Sequence, residues 1–167
     1  VLGVATALER WGTMSLAGVL QPAIELAEDG FRVSSRLADS ILSSRLSNES
    51  GNPAYEEARK VFRPGGVPLE EGDLLIQPDL AGTFRIIAEK GPRAFYTGDI
   101  AQAIVDTQLN ARTVTAPNDQ AKLVGRMTLA DLADYQVAIR KPVEGYYRGF
   151  RIVSMPPPSS GGLTVIQ

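Results

Sequence analysis

Apolar residues recur along the N-terminal part of the chain at helical spacing. Val4, Leu8 and Trp11 lie four and three residues apart, which places them on one face of a short helix. Ser15 is a suitable N-cap for a second helix, whose apolar stripe ends at Gly30. The pattern predicts two consecutive helices here.

The next segments carry weaker signals. Pro22 is predicted either to kink the second helix or to begin a new turn. Ser34 or Ser35 is a candidate cap for a third helix, while 43–52 is rich in Ser and Asn and lacks clear periodicity. A short helix is predicted at about 54–60, before a connection rich in Pro and Gly.

The clearest helix follows. Pro78 suits a first helical position, Leu80, Phe84 and Ile87 share one face, and Gly91 lies just past the end. Because all three signals agree, we predict a helix between Pro78 and Gly91.

Two further helices are predicted before the pattern changes. Ile100 and Ile104 mark the apolar face of one, which precedes a surface loop at 110–126. Thr128 and Asp131 have the spacing of a capping box, with Asp in place of the usual Glu, and so predict a short helix.

The C-terminal part reads as a β-hairpin. Residues 143–147 and 150–155 are rich in β-branched and aromatic residues and flank Arg148-Gly149, which predicts two strands around a tight turn. A further helix is predicted to begin at about Leu163. The predicted fold class is therefore mainly α with a C-terminal β-hairpin.

Size and composition narrow the function classes. With 167 residues, a compact form would bury roughly 70% of its unfolded surface, enough for one modest core. The net charge of −2 comes without a basic block, so we expect no nucleic-acid partner. The apolar stretches fall well short of the roughly 20 residues that cross a bilayer, so no membrane segment is expected.

The chain has neither Cys nor His. Thiolate nucleophiles, disulfides, the commonest general base and the commonest zinc ligand are therefore excluded within it. Glu70, Glu71 and Asp73 cluster around Gly72, but without His or calcium-loop spacing they read as a polar turn. We expect no metal site, no cofactor and no catalytic carboxylate pair.

One segment stands out as a candidate site. Met155 is followed by three prolines, then by Ser159, Ser160, Gly161 and Gly162. The structural interpretation is a strand end, a close-packed turn and a helix start. The functional interpretation is that Ser159, Ser160, Gly161 and Gly162, through their hydroxyls and backbone N–H groups, line a pocket. A serine nucleophile is disfavoured because no base is adjacent.

These residues carry a family resemblance. Tyr147-Arg148-Gly149-Phe150, followed by Met155-Pro156-Pro157-Pro158-Ser159-Ser160-Gly161-Gly162, resembles a stretch in the large subunit of γ-glutamyltranspeptidases. Four more passages resemble the same family in the same order: Gly12 with Ser15-Leu16 and Pro22 to Phe31, Gln77-Pro78-Asp79-Leu80-Ala81, Gly91 to Ala101, and Met127 to Tyr135.

The resemblance implies an N-terminal-nucleophile hydrolase, made as one precursor that cuts itself into two subunits around an αββα sandwich. The new N-terminal threonine of the small subunit would attack the γ-glutamyl amide of glutathione or a related compound, with its own α-amino group as base. That nucleophile lies outside this chain, so we expect no catalytic residue in it and no activity from it alone. Relatives that act on β-lactam side chains or poly-γ-glutamate leave the substrate open.

The resulting hypothesis is that 1–167 is a piece of a large subunit, with a helical lobe at 1–135 and a hairpin and Pro/Ser/Gly motif at 136–167 leading back to the core. The expected partners are the small subunit of the same precursor and a γ-glutamyl small molecule, and the fragment alone is expected to self-associate. A family member without activity and a helical binding module remain as alternatives. The compartment, whether periplasmic, secreted or cytoplasmic, stays open.

Overall fold

The computed structural model describes residues 1–44, 55–110 and 125–167. The chain divides into two compact units, Val1–Tyr135 and Gln136–Gln167, and each is described by itself. Within the described residues, the first unit consists mainly of helices and contains one short pair of strands. The second consists of a β-hairpin and one short helix. The chain is thus mainly helical with a small hairpin, as the sequence predicts.

The elements of the first unit follow in chain order. They are α1 (Leu2–Trp11), α2 (Leu16–Glu28), β1 (Phe31–Arg32), α3 (Ser35–Ser43), α4 (Glu56–Phe62), β2 (Leu74–Leu75), α5 (Pro78–Lys90), α6 (Asp99–Leu109) and α7 (Leu129–Ala133). A short 3-10 turn at Pro64–Gly66 follows α4, and another at Pro92–Phe95 links α5 to α6. The predicted loop at 110–126 lies mostly outside the described residues.

Side-chain caps begin three of the helices where the sequence predicts them. The Ser15 side chain accepts a hydrogen bond from Gly18 N, and the Ser34 side chain accepts one from Leu37 N. At α7, Thr128 forms the predicted capping box. Each cap satisfies an N–H group that has no partner inside its own helix.

The α2 helix continues through Pro22 to Glu28. It packs against α5, and the contact buries Ile24, Ala27 and Ala81. Ala81 is fully buried, so the two helices approach closely at this point. An exposed ion pair between Arg85 and Glu28 joins the same two helices.

The strands β1 and β2 form an antiparallel pair at the two ends of the segment between α2 and α5. The sequence pattern did not predict this pair. Phe31 pairs with Leu75, and Arg32 pairs with Leu74. Backbone hydrogen bonds extend the pairing, because Val33 N donates to Asp73 O at 2.8 Å and Gly72 N donates to Val33 O at 2.8 Å. A small core forms beside this pair, and its buried members are Val33, Ile41, Leu69 and Leu75.

The helices α6 and α7 share a third small core. Its buried residues are Ala101, Val105 and Leu132. Nearby, the Arg93 guanidinium donates to the carbonyl oxygens of Ala133 and Tyr135 at 3.2 and 3.3 Å. These bonds satisfy carbonyl groups at the C-terminal end of α7.

The second unit contains β3 (Val143–Tyr147), β4 (Phe150–Ser154) and α8 (Gly161–Ile166). The strands pair antiparallel around the predicted turn at Arg148-Gly149. Both turn residues have positive φ, 48° and 85°, as a two-residue hairpin turn requires. The helix begins at Gly161, two residues earlier than the predicted start at Leu163, because Gly162, which lies against Ser154 at the end of β4, already belongs to its first turn.

Candidate functional site

The candidate site is the turn between β4 and α8. After β4 ends at Ser154, the chain passes through three prolines, and Ser159 N donates to Pro156 O at 3.2 Å. The peptide bond between Pro157 and Pro158 is cis. The prolines thus separate the strand from the helix within a few residues.

Gly162 is where backbone segments approach most closely in this turn. It is buried at the start of α8. A Cβ placed there would meet the backbone carbonyl oxygen of Met155, with Ser154 Oγ at 2.9 Å and Ser154 Cβ at 3.0 Å. Real Cβ atoms are not found so close to other heavy atoms, so only glycine fits without a shift. Gly162 therefore serves packing between α8 and β4.

Gly161 and the two serines have different surroundings. A Cβ at Gly161 would meet only Ser159 Oγ, at 3.9 Å. Ser160 is exposed and its side chain does not cap α8, while Ser159 is half-buried. The carbonyl oxygen of Ser160 accepts hydrogen bonds from Thr164 N at 3.1 Å and Thr164 Oγ1 at 3.0 Å. Pocket lining by this turn stays a prediction.

The hairpin beside this turn carries one well-aligned ion pair. Arg151 Nη2 lies 2.7 Å from Glu144 Oε1, and Arg151 Nε lies 3.1 Å from Glu144 Oε2. The two hydrogen bonds and the carboxylate charge raise the pKa of Arg151 above its already high value. Both side chains are largely exposed, so the pair contributes little to stability.

Two of the acidic residues named above, Asp131 and Asp73, accept hydrogen bonds within their own turns. Asp131 accepts hydrogen bonds from Thr128 Oγ1 at 2.7 Å and Thr128 N at 2.8 Å, and these bonds lower the pKa of the Asp131 carboxyl. Asp73 Oδ2 accepts from Glu70 N at 2.7 Å within the turn at Gly72. Among the described residues, no group of three or more acidic side chains is placed to hold a metal ion.

The first unit contains an open groove that sequence reasoning did not find. It has a volume of about 710 Å³, and the residues that line it include Phe95, Ile100, Ala103 and Ile104. Thr83, Asp99, Thr107 and Gln108 also line it, so the groove has polar groups beside its apolar surface. The spacing of Ile100 and Ile104 predicts a helix face but not a groove.

Across the described ranges 1–44, 55–110 and 125–167, no helix combines the length and apolar character needed to span a membrane.

Comparison with known proteins gives one consistent family. The family model described as Gamma-glutamyltranspeptidase matches residues 1–167. The chain is 40% identical over 165 residues to the glutathione hydrolase proenzyme of Bacillus subtilis strain 168, covering 99% of the chain and 25% of that protein. It is also 40% identical over 166 residues to the acylase ACY 1 proenzyme of Pseudomonas sp. strain SE83, covering 99% and 27%.

Solved structures agree with the sequence comparison. The crystal structure of Helicobacter pylori gamma-glutamyltranspeptidase is similar with a TM-score of 0.83 and 36% identity, over 99% of this chain and 43% of that one. The chain spans about a quarter of the length of the curated relatives it matches.

Proposed function

The chain belongs to the gamma-glutamyltranspeptidase family, and from this membership we propose that it forms part of the large subunit of an enzyme that hydrolyses or transfers γ-glutamyl groups. The observation that carries the proposal is the family match over all of residues 1–167. The proposed donors are glutathione and related γ-glutamyl amides. The relatives named glutathione hydrolase proenzyme support this donor class.

The proposed nucleophile is a threonine at the new N-terminus of a small subunit, outside this chain. Its α-amino group takes the proton of its hydroxyl, and the oxygen attacks the γ-carbonyl carbon of the donor. The C–N bond breaks, the amine leaves with the proton, and a γ-glutamyl ester remains. Water or a second amine then releases the γ-glutamyl group. No step needs a metal or a cofactor, and the name proenzyme among the relatives supports a cleaved precursor.

In this proposal the present chain is a scaffold. The helical lobe at 1–135 packs against an αββα sandwich supplied largely by the rest of the precursor, and 136–167 leads back to that core. The turn with Ser159, Ser160 and Gly161 is the part that approaches the γ-glutamyl pocket, while Gly162 holds the turn against β4. The exposure of Ser160 and Gly161 supports this assignment.

The proposed partners are the small subunit of the same precursor and the γ-glutamyl substrate. Without the rest of the precursor, the chain leaves large apolar side chains in water, with Trp11 75% exposed, Tyr146 77% exposed and Val4 67% exposed. We therefore expect the isolated 167-residue chain to self-associate and to be inactive.

The test is an assay of γ-glutamyl-p-nitroanilide hydrolysis by the full-length precursor and by the 167-residue chain. We expect activity from the precursor only, and a lower kcat/KM when Ser160→Ala is introduced into it. Ser43→Ala is the matched control, because Ser43 is exposed and its hydroxyl donates to Asp39 O within α3. A folded precursor without hydrolysis would favour a family member that has lost activity. If Ser160→Ala leaves the activity unchanged, the proposal that this turn approaches the γ-glutamyl pocket is contradicted.

A further inference from the structure

Gly145 lies in the middle of β3, where glycine weakens a strand because it has no side chain to pack. Its φ is not positive, unlike the φ of Gly149 in the hairpin turn, so the backbone conformation does not require glycine at this position. A glycine inside a strand often marks a place where a ligand or another part of the chain approaches the backbone closely.

The group that approaches Gly145 is the side chain of Ile166, at the end of α8. A Cβ at Gly145 would overlap Ile166 Cγ2, and it would lie 3.3 Å from Ile166 Cγ1 and 3.4 Å from Ile166 Cβ. The overlap with Cγ2 is closer than real Cβ atoms come to other heavy atoms, so one of the two residues would have to shift. Ile166 therefore packs directly onto the backbone of β3, in space that a larger residue would fill.

The hairpin thus contacts α8 at two points. Gly162 lies against Ser154 at the start of the helix, and Ile166 lies against Gly145 at its end. Residues four apart share one side of a helix. Gly162 is buried and Ile166 is half-buried, whereas the residues between them are exposed. The two contacts therefore fix both ends of α8 on the hairpin.

The candidate turn is joined to α8 by hydrogen bonds. Ser160 O accepts from Thr164 N at 3.1 Å and from Thr164 Oγ1 at 3.0 Å. Because α8 has six residues, less than two helical turns, a displacement at Ile166 is carried to Thr164 and to Ser160. The position of Ser160 therefore depends on how Ile166 packs on Gly145.

We propose that Gly145 and Ile166 are positioning residues for the turn that carries Ser159, Ser160 and Gly161. The position without a side chain at Gly145 receives Ile166, which fixes α8 on the hairpin and thereby fixes the turn. The inference rests on the proposed function, in which this turn approaches the γ-glutamyl pocket. It adds two residues that set the affinity for the γ-glutamyl donor without touching it.

A double-mutant cycle in the full-length precursor tests the proposal, with γ-glutamyl-p-nitroanilide as the substrate. Gly145→Ala drives a methyl group into Ile166 and is expected to raise KM about fivefold while changing kcat by less than about twofold. Ile166→Ala removes the atoms that the methyl group meets. When Ile166→Ala is already present, adding Gly145→Ala is therefore expected to change KM by less than about twofold.

Gly82→Ala is the matched control, because a Cβ at Gly82 in α5 meets no atom within 4 Å. It is expected to leave KM unchanged. A merely structural role of Gly145 would lower the yield of folded enzyme at an unchanged KM. An unchanged KM in folded Gly145→Ala, or the same rise in KM with and without Ile166→Ala, would overturn the proposal.

Hydrogen exchange at the Thr164 amide gives a second measurement that needs no hydrolysis. Gly145→Ala is expected to speed this exchange about tenfold, and Gly82→Ala is expected to change it by less than about twofold. Ile166→Ala adds no atoms, so it covers the case in which Gly145→Ala does not fold. It is expected to speed the same exchange, and unchanged exchange in Ile166→Ala would overturn the proposal.

The two measurements separate this proposal from the proposed function. An inactive parent precursor in which Gly145→Ala speeds exchange at Thr164 overturns the proposed function, while the placement of the turn by Gly145 and Ile166 stands. An active parent precursor whose KM and Thr164 exchange are unchanged by Gly145→Ala overturns the positioning role alone.

Discussion

Adding one methyl group at Gly162 should loosen the contact between α8 and β4. The new Cβ would overlap the Met155 carbonyl oxygen and lie 2.9 and 3.0 Å from Ser154 Oγ and Cβ. Ser154 Oγ can rotate away, but the Met155 oxygen belongs to the backbone, so the strand or the helix has to shift. Overpacking of this kind costs about 1–3 kcal/mol.

Gly161→Ala is the matched control for Gly162→Ala. Both changes give the first turn of α8 the same gain in helix propensity, at most about 1 kcal/mol, but a Cβ at Gly161 meets only Ser159 Oγ at 3.9 Å. The difference between the two variants therefore isolates the packing cost. A difference of about 1–3 kcal/mol corresponds to roughly 5- to 150-fold in the local opening constant.

Hydrogen exchange of the β4 and α8 amides in the full-length precursor measures this difference. We expect faster exchange for Gly162→Ala than for the parent protein, and unchanged or slower exchange for Gly161→Ala. Equal protection in the two variants would refute the close approach of Gly162 to β4.

Three further changes have expected outcomes. Ser34→Ala should cost about 1 kcal/mol of unfolding free energy, seen by urea denaturation, because its side chain caps Leu37 N. Gly149→Ala should destabilise the hairpin by about 1–2 kcal/mol, since Gly149 has a φ of 85° and a residue with a Cβ is strained there; an unchanged melting temperature would contradict this. Hydrogen bonds from Thr128 lower the pKa of the Asp131 carboxyl below its ordinary value of 3.8. The ionised carboxylate should therefore stabilise α7 at pH values above 3.8, and this stabilisation should be lost as the pH falls through the lowered pKa. A pH titration followed by NMR measures the loss. Asp131→Asn should flatten that titration.

Helix starts were predictable because their determinants lie within a few residues. The Ser15 and Ser34 caps and the Thr128–Asp131 box each depend on a contact between positions three apart. Pro78 at a first position and Gly91 past the end likewise act locally. Most of the described secondary structure was therefore predictable from local sequence.

The β1–β2 pair was not predictable by the same means. Each strand has two residues, too few for an alternating pattern, and Phe31 and Leu75 are far apart in sequence. The pair forms because Val33 exchanges backbone hydrogen bonds with Gly72 and Asp73 after the chain folds back. Pairing between strands so far apart in sequence depends on the tertiary fold that brings them together.

The candidate turn between β4 and α8 was predictable only in part. The prolines and glycines of the sequence indicate a strand end followed by a helix start, and the structure has both. The separate roles of Gly161 and Gly162 depend on which one faces Ser154 and Met155. Periodicity alone could not assign those roles, because glycine has no side chain that marks a face.

The most direct test of the proposed function is the intact mass and the N-terminal residue of each polypeptide produced when the full-length gene is expressed. We expect two polypeptides, of which the larger contains residues 1–167 and the smaller begins with threonine. A single uncut polypeptide would contradict a self-processing enzyme, while the family membership and the fold of this chain would stand.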